Sequence, residues 1–136
     1  MPHRDDGRTA RINELAHTVI GAALDVHKEI GPGMLESAYE ACLAFELLAR
    51  GLAIERQKPF PLVYRGQRVD CGYRIDLVVE GLLVVEVKSL ERVQAVHRAQ
   101  VLSYLRMSKM RLGLLLNFNV QWLRDGIERI VNGLPE

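Results

Sequence analysis

Leu112-Gly113-Leu114-Leu115-Leu116 is a short, wholly apolar run in a chain otherwise rich in charge. A strand that is apolar at successive positions offers no face to water, so it suits burial on both sides. The cover must come from helices, and three segments carry helical signals. From Arg11 to Glu29, Ile12, Leu15, Ala16, Val19, Ala23 and Val26, with Ile30 just beyond, recur at three- and four-residue steps and mark one stripe of an amphipathic helix. Gly31-Pro32-Gly33 stops it, since glycine tolerates positive φ and proline cannot continue the ladder. A second helix is expected from Leu35 to Arg50, ending at Gly51, and a third from Arg92 to Met110.

Strands fill the intervals. Ala53–Tyr64 alternates and is rich in β-branched residues, but Pro59 and Pro61 make it an edge or bent strand. Arg65-Gly66-Gln67 reads as a turn, and Arg68–Val79 and Leu83–Ser89 as strands around Glu80-Gly81. Asn117–Gly126 suits an irregular or one-turn helical connection, and Ile127–Val131 a last short strand. The order ααβββαβ with a short terminal strand predicts an α/β fold, a mixed sheet flanked by helices. Residues 1–9 are polar and aperiodic and are expected to be a flexible segment, leaving 10–136 as a single domain.

Composition narrows the class. Eighteen Lys and Arg against 17 Asp and Glu exclude a strongly acidic or basic tail, and 49% hydrophobic residues suit a packed core. No apolar run approaches the roughly 18 residues that a membrane span needs, and Met1–Arg8 lacks the apolar centre of a signal peptide. Cys42 and Cys71 are far apart and lack CxxC spacing, so neither a disulfide scaffold nor a zinc knuckle is indicated. A soluble, cytoplasmic protein is expected.

The segment from Gly72 to Lys88 carries the chemistry. Side chains alternate across a strand, so Glu86 and Lys88 point to one face while Val85 and Val87 point to the other. Charges inside so apolar a segment are costly unless paired or metal-bound, although a charged pair on the solvated face of an outer strand would look the same. Asp76 interrupts its own apolar strand in the same manner. A two-residue Glu80-Gly81 loop would put Asp76 opposite Val85 and turn Asp76 and Glu86 to opposite faces. A loop of odd length centred on Gly81, or a bulge, puts Asp76 opposite Glu86, and that is the register expected.

Two helices add candidates. Glu36, Tyr39 and Glu40 fall three and four apart on one face of the second helix, although a Glu in the first turn also suits the helix dipole. On the third, Val93, His97, Gln100 and Tyr104 share one narrow stripe beside Val96 and Met107. His97, with His17 and His27 on the first helix, is expected to pack or cap. Trp122 is expected to plug the core, and Met34, Cys42 and Met110 to pack.

Asp76 followed by Glu86-x-Lys88 on the next strand resembles the D…(D/E)xK signature of the PD-(D/E)XK nuclease superfamily, with Ile75 where a proline usually precedes the Asp. Gly33-Met34-Leu35-Glu36-Ser37-Ala38-Tyr39 is similar to the motif of the GxxExxY family within it. The likeness runs from about Leu15 to Val131 and includes Val26–Gly33 and Leu115–Asn119. The resemblance implies a restriction-endonuclease-like fold and phosphodiester hydrolysis, most readily of DNA. It also implies Mg²⁺ or Mn²⁺ held by Asp76 and Glu86, with help from the Val87 carbonyl and from Glu36 on its helix. Carboxylate and carbonyl oxygens suit such hard cations. Lys88 would orient the attacking water and stabilise developing charge. Gln100-x-x-x-Tyr104 resembles the QxxxY element of exonuclease-like branches, which gives Gln100 a place in the active site and Tyr104 a contact with substrate.

The charge total of +1 conceals an uneven distribution. Lys88–Arg111 holds six basic residues, among them Arg92 and Arg98, against Glu91 alone, whereas the first 30 residues hold five acids and four bases. Arg65, Arg68 and Arg74 precede this basic sector. Such asymmetry attracts a polyanion despite a neutral total, which makes Arg74, Arg92 and Arg98 candidate substrate contacts. Tyr104, by the QxxxY resemblance, and Tyr39, on the helix face of Glu36, are candidates beside them. By analogy a homodimer or a larger DNA-processing assembly is expected. Two other classes remain open: a catalytically silent nucleic-acid-binding or accessory module that keeps the fold, and a structural homo-oligomer.

Overall fold

Every residue of β6 (Leu112–Asn117) is buried, as its apolar sequence requires. The computed structural model describes residues 7–135 and places β6 in a five-stranded sheet of order β1-β4-β5-β6-β7. The other strands of this sheet are β1 (Ile54–Pro59), β4 (Arg74–Val79), β5 (Leu83–Lys88) and β7 (Ile127–Val131). β5 and β6 are parallel and every other neighbouring pair is antiparallel, so the sheet is mixed. β2 (Val63–Tyr64) and β3 (Gln67–Arg68) form a separate small hairpin.

Three helices cover the sheet. α1 (Arg8–Ile30) and α2 (Glu36–Ala49) pack on one face, where Leu15, Val19, Leu43 and Leu47 meet Leu77, Val85, Val87 and Leu114. On the other face, Val101, Tyr104 and Leu105 of α3 (Ala95–Ser108) meet Val78, Val84 and Leu115. Gly113 sets how closely α3 approaches, because a Cβ there would lie 2.7 Å from Val101 Cγ1. Among the described residues no helix is long and apolar enough to cross a membrane.

Several local expectations are corrected. Residues 1–6 of the expected flexible segment lie outside the described residues, but Arg8 and Thr9 are already helical. The expected strand 53–64 is cut at Phe60–Leu62, because Pro61 has no N–H to donate to a ladder. Arg68–Val79 is likewise split, as the Asp70 carboxylate accepts a hydrogen bond from Gly72 N and closes a turn. The prolines do keep β1 at the edge of the sheet, as the sequence predicts. Asn117–Gly126 contains one turn of 3₁₀ helix at Leu123–Gly126. That turn directs Leu123 inward and leaves Trp122 57% exposed, so Trp122 does not plug the core. Met34, on the loop before α2, is exposed as well.

Candidate active site

β4 and β5 pair from Val79↔Leu83 to Leu77↔Val85, and beyond that rung their ladder stops. The loop between them is Glu80-Gly81-Leu82, three residues, so the register carries Asp76 opposite Glu86 as the odd-length loop predicts. Past the last rung β4 stays with β1, through Lys58↔Ile75 and Pro59↔Arg74. β5 stays with β6, through Glu86↔Leu115 and Lys88↔Asn117. The two strands therefore fork, and the carboxylates bridge the fork. Asp76 N donates to Glu86 Oε1 at 3.2 Å, and Val87 N donates to Asp76 Oδ2 at 2.8 Å.

Glu86 is only 4% exposed, and burial, reinforced by the neighbouring charge of Asp76, pushes its carboxyl up to about 9. Lys88 opposes that shift. Val85 and Val87 pack against α1 and α2, so Glu86 and Lys88 take the face that α3 covers. From α3, Tyr104 closes the wall of the site. It is 5% exposed, its ring lies 4.8 Å from Phe60, and burial with the charges of Glu86 and Asp76 raises its phenol well above the usual value. Half-buried Gln100 stands one turn earlier on the same helix.

A second set of polar groups adjoins Asp76. The Gln57 amide donates both to Asp76 Oδ1, at 3.2 Å, and to Glu40 Oε1. Glu40, 6% exposed, also accepts two hydrogen bonds from the Arg56 guanidinium, at 3.2 and 3.1 Å. Desolvation raises the Glu40 carboxyl even so, against the opposing pull of Arg56. At the far end of β5, buried Asn117 pins Leu90 by both main-chain groups, each at 2.9 Å, which fixes the segment that leaves Lys88.

The expected convergence of Glu36 with Asp76 and Glu86 does not form. Glu36 is exposed and accepts a hydrogen bond from Ser89 N, and it is Glu40, one turn on, that Gln57 joins to Asp76. Among the described residues no group of three or more His, Cys, Asp and Glu side chains is assembled to hold a metal ion. Tyr39 is not a surface residue either. It is fully buried, stacks on Phe118 at 4.5 Å, donates its hydroxyl to Gly31 O and accepts from Met34 N. The Gly-rich motif is thus physically coherent: Gly31 ends α1 at φ 66°, and Tyr39 ties the loop that follows back to α2. Arg74 and Arg92 are exposed, while Arg98 is engaged with Glu128 at 2.8 Å. His97 caps α3 through Gln94 N, and buried His27 bonds to Val120 O, the structural parts expected of both.

A family model described as the PD-(D/E)XK nuclease superfamily matches residues 13–130. The chain belongs to that superfamily. Three helices around a five-stranded mixed sheet are its α/β, restriction-endonuclease-like architecture, and membership supports a nuclease-type function and a nucleic-acid substrate. No curated protein and no solved structure matched the chain.

Divalent cations such as Mg²⁺ are general in this superfamily, and the donors at the fork fit one. Asp76 and Glu86 bring four carboxylate oxygens that retain lone pairs after the hydrogen bonds described. Mg²⁺ is commonly held by one or two carboxylates and completes its octahedron with waters and substrate phosphate oxygens, so two side chains suffice.

Proposed function

We propose that the chain is a divalent-metal-dependent nuclease that hydrolyses phosphodiester bonds in DNA. The observation that carries this reading is the fork itself, in which Asp76 and Glu86 face each other and Lys88 follows Glu86 on the same side of β5. Asp76 and Glu86, with the Val87 carbonyl, hold the cation, whose chemistry is to acidify a bound water and neutralise phosphoryl charge. The Lys88 ammonium orients that water and stabilises charge that develops on the phosphoryl oxygens. Tyr104 keeps its proton over the working pH range and donates a hydrogen bond to a phosphate oxygen, with Gln100 beside it. Exposed Arg74 and Arg92 attract the backbone from either end of the site. Glu36 fixes the end of β5 through Ser89 rather than reaching the cation.

The decisive assay compares wild type, Glu86→Ala and Lys88→Ala on single- and double-stranded DNA and on RNA, with Mg²⁺, Mn²⁺ or EDTA. Metal-dependent cleavage of DNA, lost in both variants, is the expected result. Tight binding without turnover in the wild type would favour the accessory module, and cleavage of RNA alone would move the substrate.

A further inference from the structure

Gln57 occupies an unusual place. It lies within β1, yet its φ is 51°, in the left-handed region that an L side chain rarely adopts. Pairing with β4 runs through Ile54, Glu55 and Arg56, skips Gln57, and resumes at Lys58 and Pro59 without a change of register. The skipped partner is Asp76. Across the gap the pleat of β4 is broken as well. Ile75 and Leu77 would share a face in a regular strand, but Ile75 packs with Val78 and Tyr104 while Leu77 packs with the α1 and α2 core. No inserted residue accounts for this, so it is not an ordinary bulge. The distortion gives the Gln57 amide two acceptors at once, Asp76 Oδ1 and Glu40 Oε1.

We propose that Gln57 is a positioning residue for the metal centre, its side-chain amide clamping Asp76 of β4 to Glu40 of α2 so that Asp76 faces Glu86 across the fork. The inference rests on the nuclease reading above. An amide is suited to this task because it offers two N–H donors and carries no charge. A lysine or arginine there would compete with the cation for both carboxylates, and an acid would repel them. With Oδ1 on Gln57 and Oδ2 on Val87 N, the plane of the Asp76 carboxylate is set at both ends. A backbone conformation unfavourable to a side chain, retained where the side chain spans two acids, is what a functional constraint on local geometry looks like.

Backbone and side chain make opposite demands at this position, and that separates a positioning role from a structural one. Glycine adopts φ 51° freely but has no amide. Full-length wild type and Gln57→Gly are titrated with MnCl₂ by calorimetry, and thermal unfolding is followed in EDTA. Gln57→Gly is expected to unfold no lower than wild type yet to bind Mn²⁺ about tenfold more weakly, the usual scale for loss of a group that orients a ligand. Should Gln57→Gly fail to fold, Gln57→Asn carries the same comparison, since asparagine tolerates the left-handed region and its shorter amide cannot span both acids. Wild-type affinity for Mn²⁺ in the folded variant overturns this inference alone. Wild type that binds no Mn²⁺ overturns the metal centre and the inference together.

Discussion

Asp76 and Glu86 stand opposite each other where β4 and β5 part, and Asp76 offers its main-chain N–H to the Glu86 carboxylate. A side chain has taken the place of the next rung of the ladder. The fork is therefore not a loose end of the sheet but a site held open by its own acids, and it is electrostatically costly without a cation. Glu86→Gln keeps an oxygen for Asp76 N and removes a carboxyl that must take up a proton to be buried at this pH. We expect this variant to be more stable than wild type in EDTA at pH 8 by roughly 1–3 kcal/mol. Urea denaturation checks the gain, and metal-dependent cleavage should be lost in the same protein.

The pH dependence of stability follows from the same residue. Glu86 titrates at about 9 in the folded protein against an ordinary value of 4.5. Between those values the folded state holds a proton that the unfolded state has released. The stabilisation is therefore complete below 4.5 and is lost as pH rises towards 9. Metal-free protein should lose up to about 1.4 kcal/mol per pH unit in that window. Saturating Mg²⁺, bound by the ionised pair, should flatten the profile and raise the melting temperature most at the alkaline end. Melting curves across the window, with Mg²⁺ or EDTA, test both effects.

The fold was legible in the sequence where burial alone decides an element. The run at Leu112–Leu116 needed two covered faces and has them, and the odd loop around Gly81 set the facing of Asp76 and Glu86. The helix carboxylate was legible only as a shared face. Glu36 and Glu40 are one turn apart, and periodicity cannot say which of them reaches the next layer. Gln57 left no signal at all, because a glutamine between Arg56 and Lys58 reads as solvated edge strand. Its part depends on a backbone conformation that tertiary contacts impose. Tyr39 was misplaced for a related reason, since a motif fixes spacing but not whether a ring points to solvent or to Phe118.

Tyr39→Phe tests the structural account of the Gly-rich motif. The phenylalanine keeps the stack on Phe118 but removes the hydroxyl that serves Gly31 O and Met34 N. Two part-buried main-chain groups lose a hydrogen-bond partner that water can partly replace, at a cost of about 1 kcal/mol. Chemical denaturation should show that loss, while Mn²⁺ affinity at the fork stays at the wild-type value. A drop in affinity without a loss of stability would return Tyr39 to the site.

Gly113→Ala tests how the wall of the site is placed. The new methyl would lie 2.7 Å from Val101 Cγ1, a separation that real Cβ atoms do not adopt, so the stiff Val101 side chain or the helix that carries it must give way. Gln100 and Tyr104 ride on the same helix, one residue before and three after Val101. We expect Gly113→Ala to cost about 1–3 kcal/mol, the range for an overpacked core, and to lower cleavage while Mn²⁺ binding at Asp76 and Glu86 is retained. Val101→Ala removes the opposing methyl, so the double variant should recover both stability and cleavage relative to Gly113→Ala. The sign of that coupling, read from a double-mutant cycle, distinguishes a displaced helix from a merely weakened core.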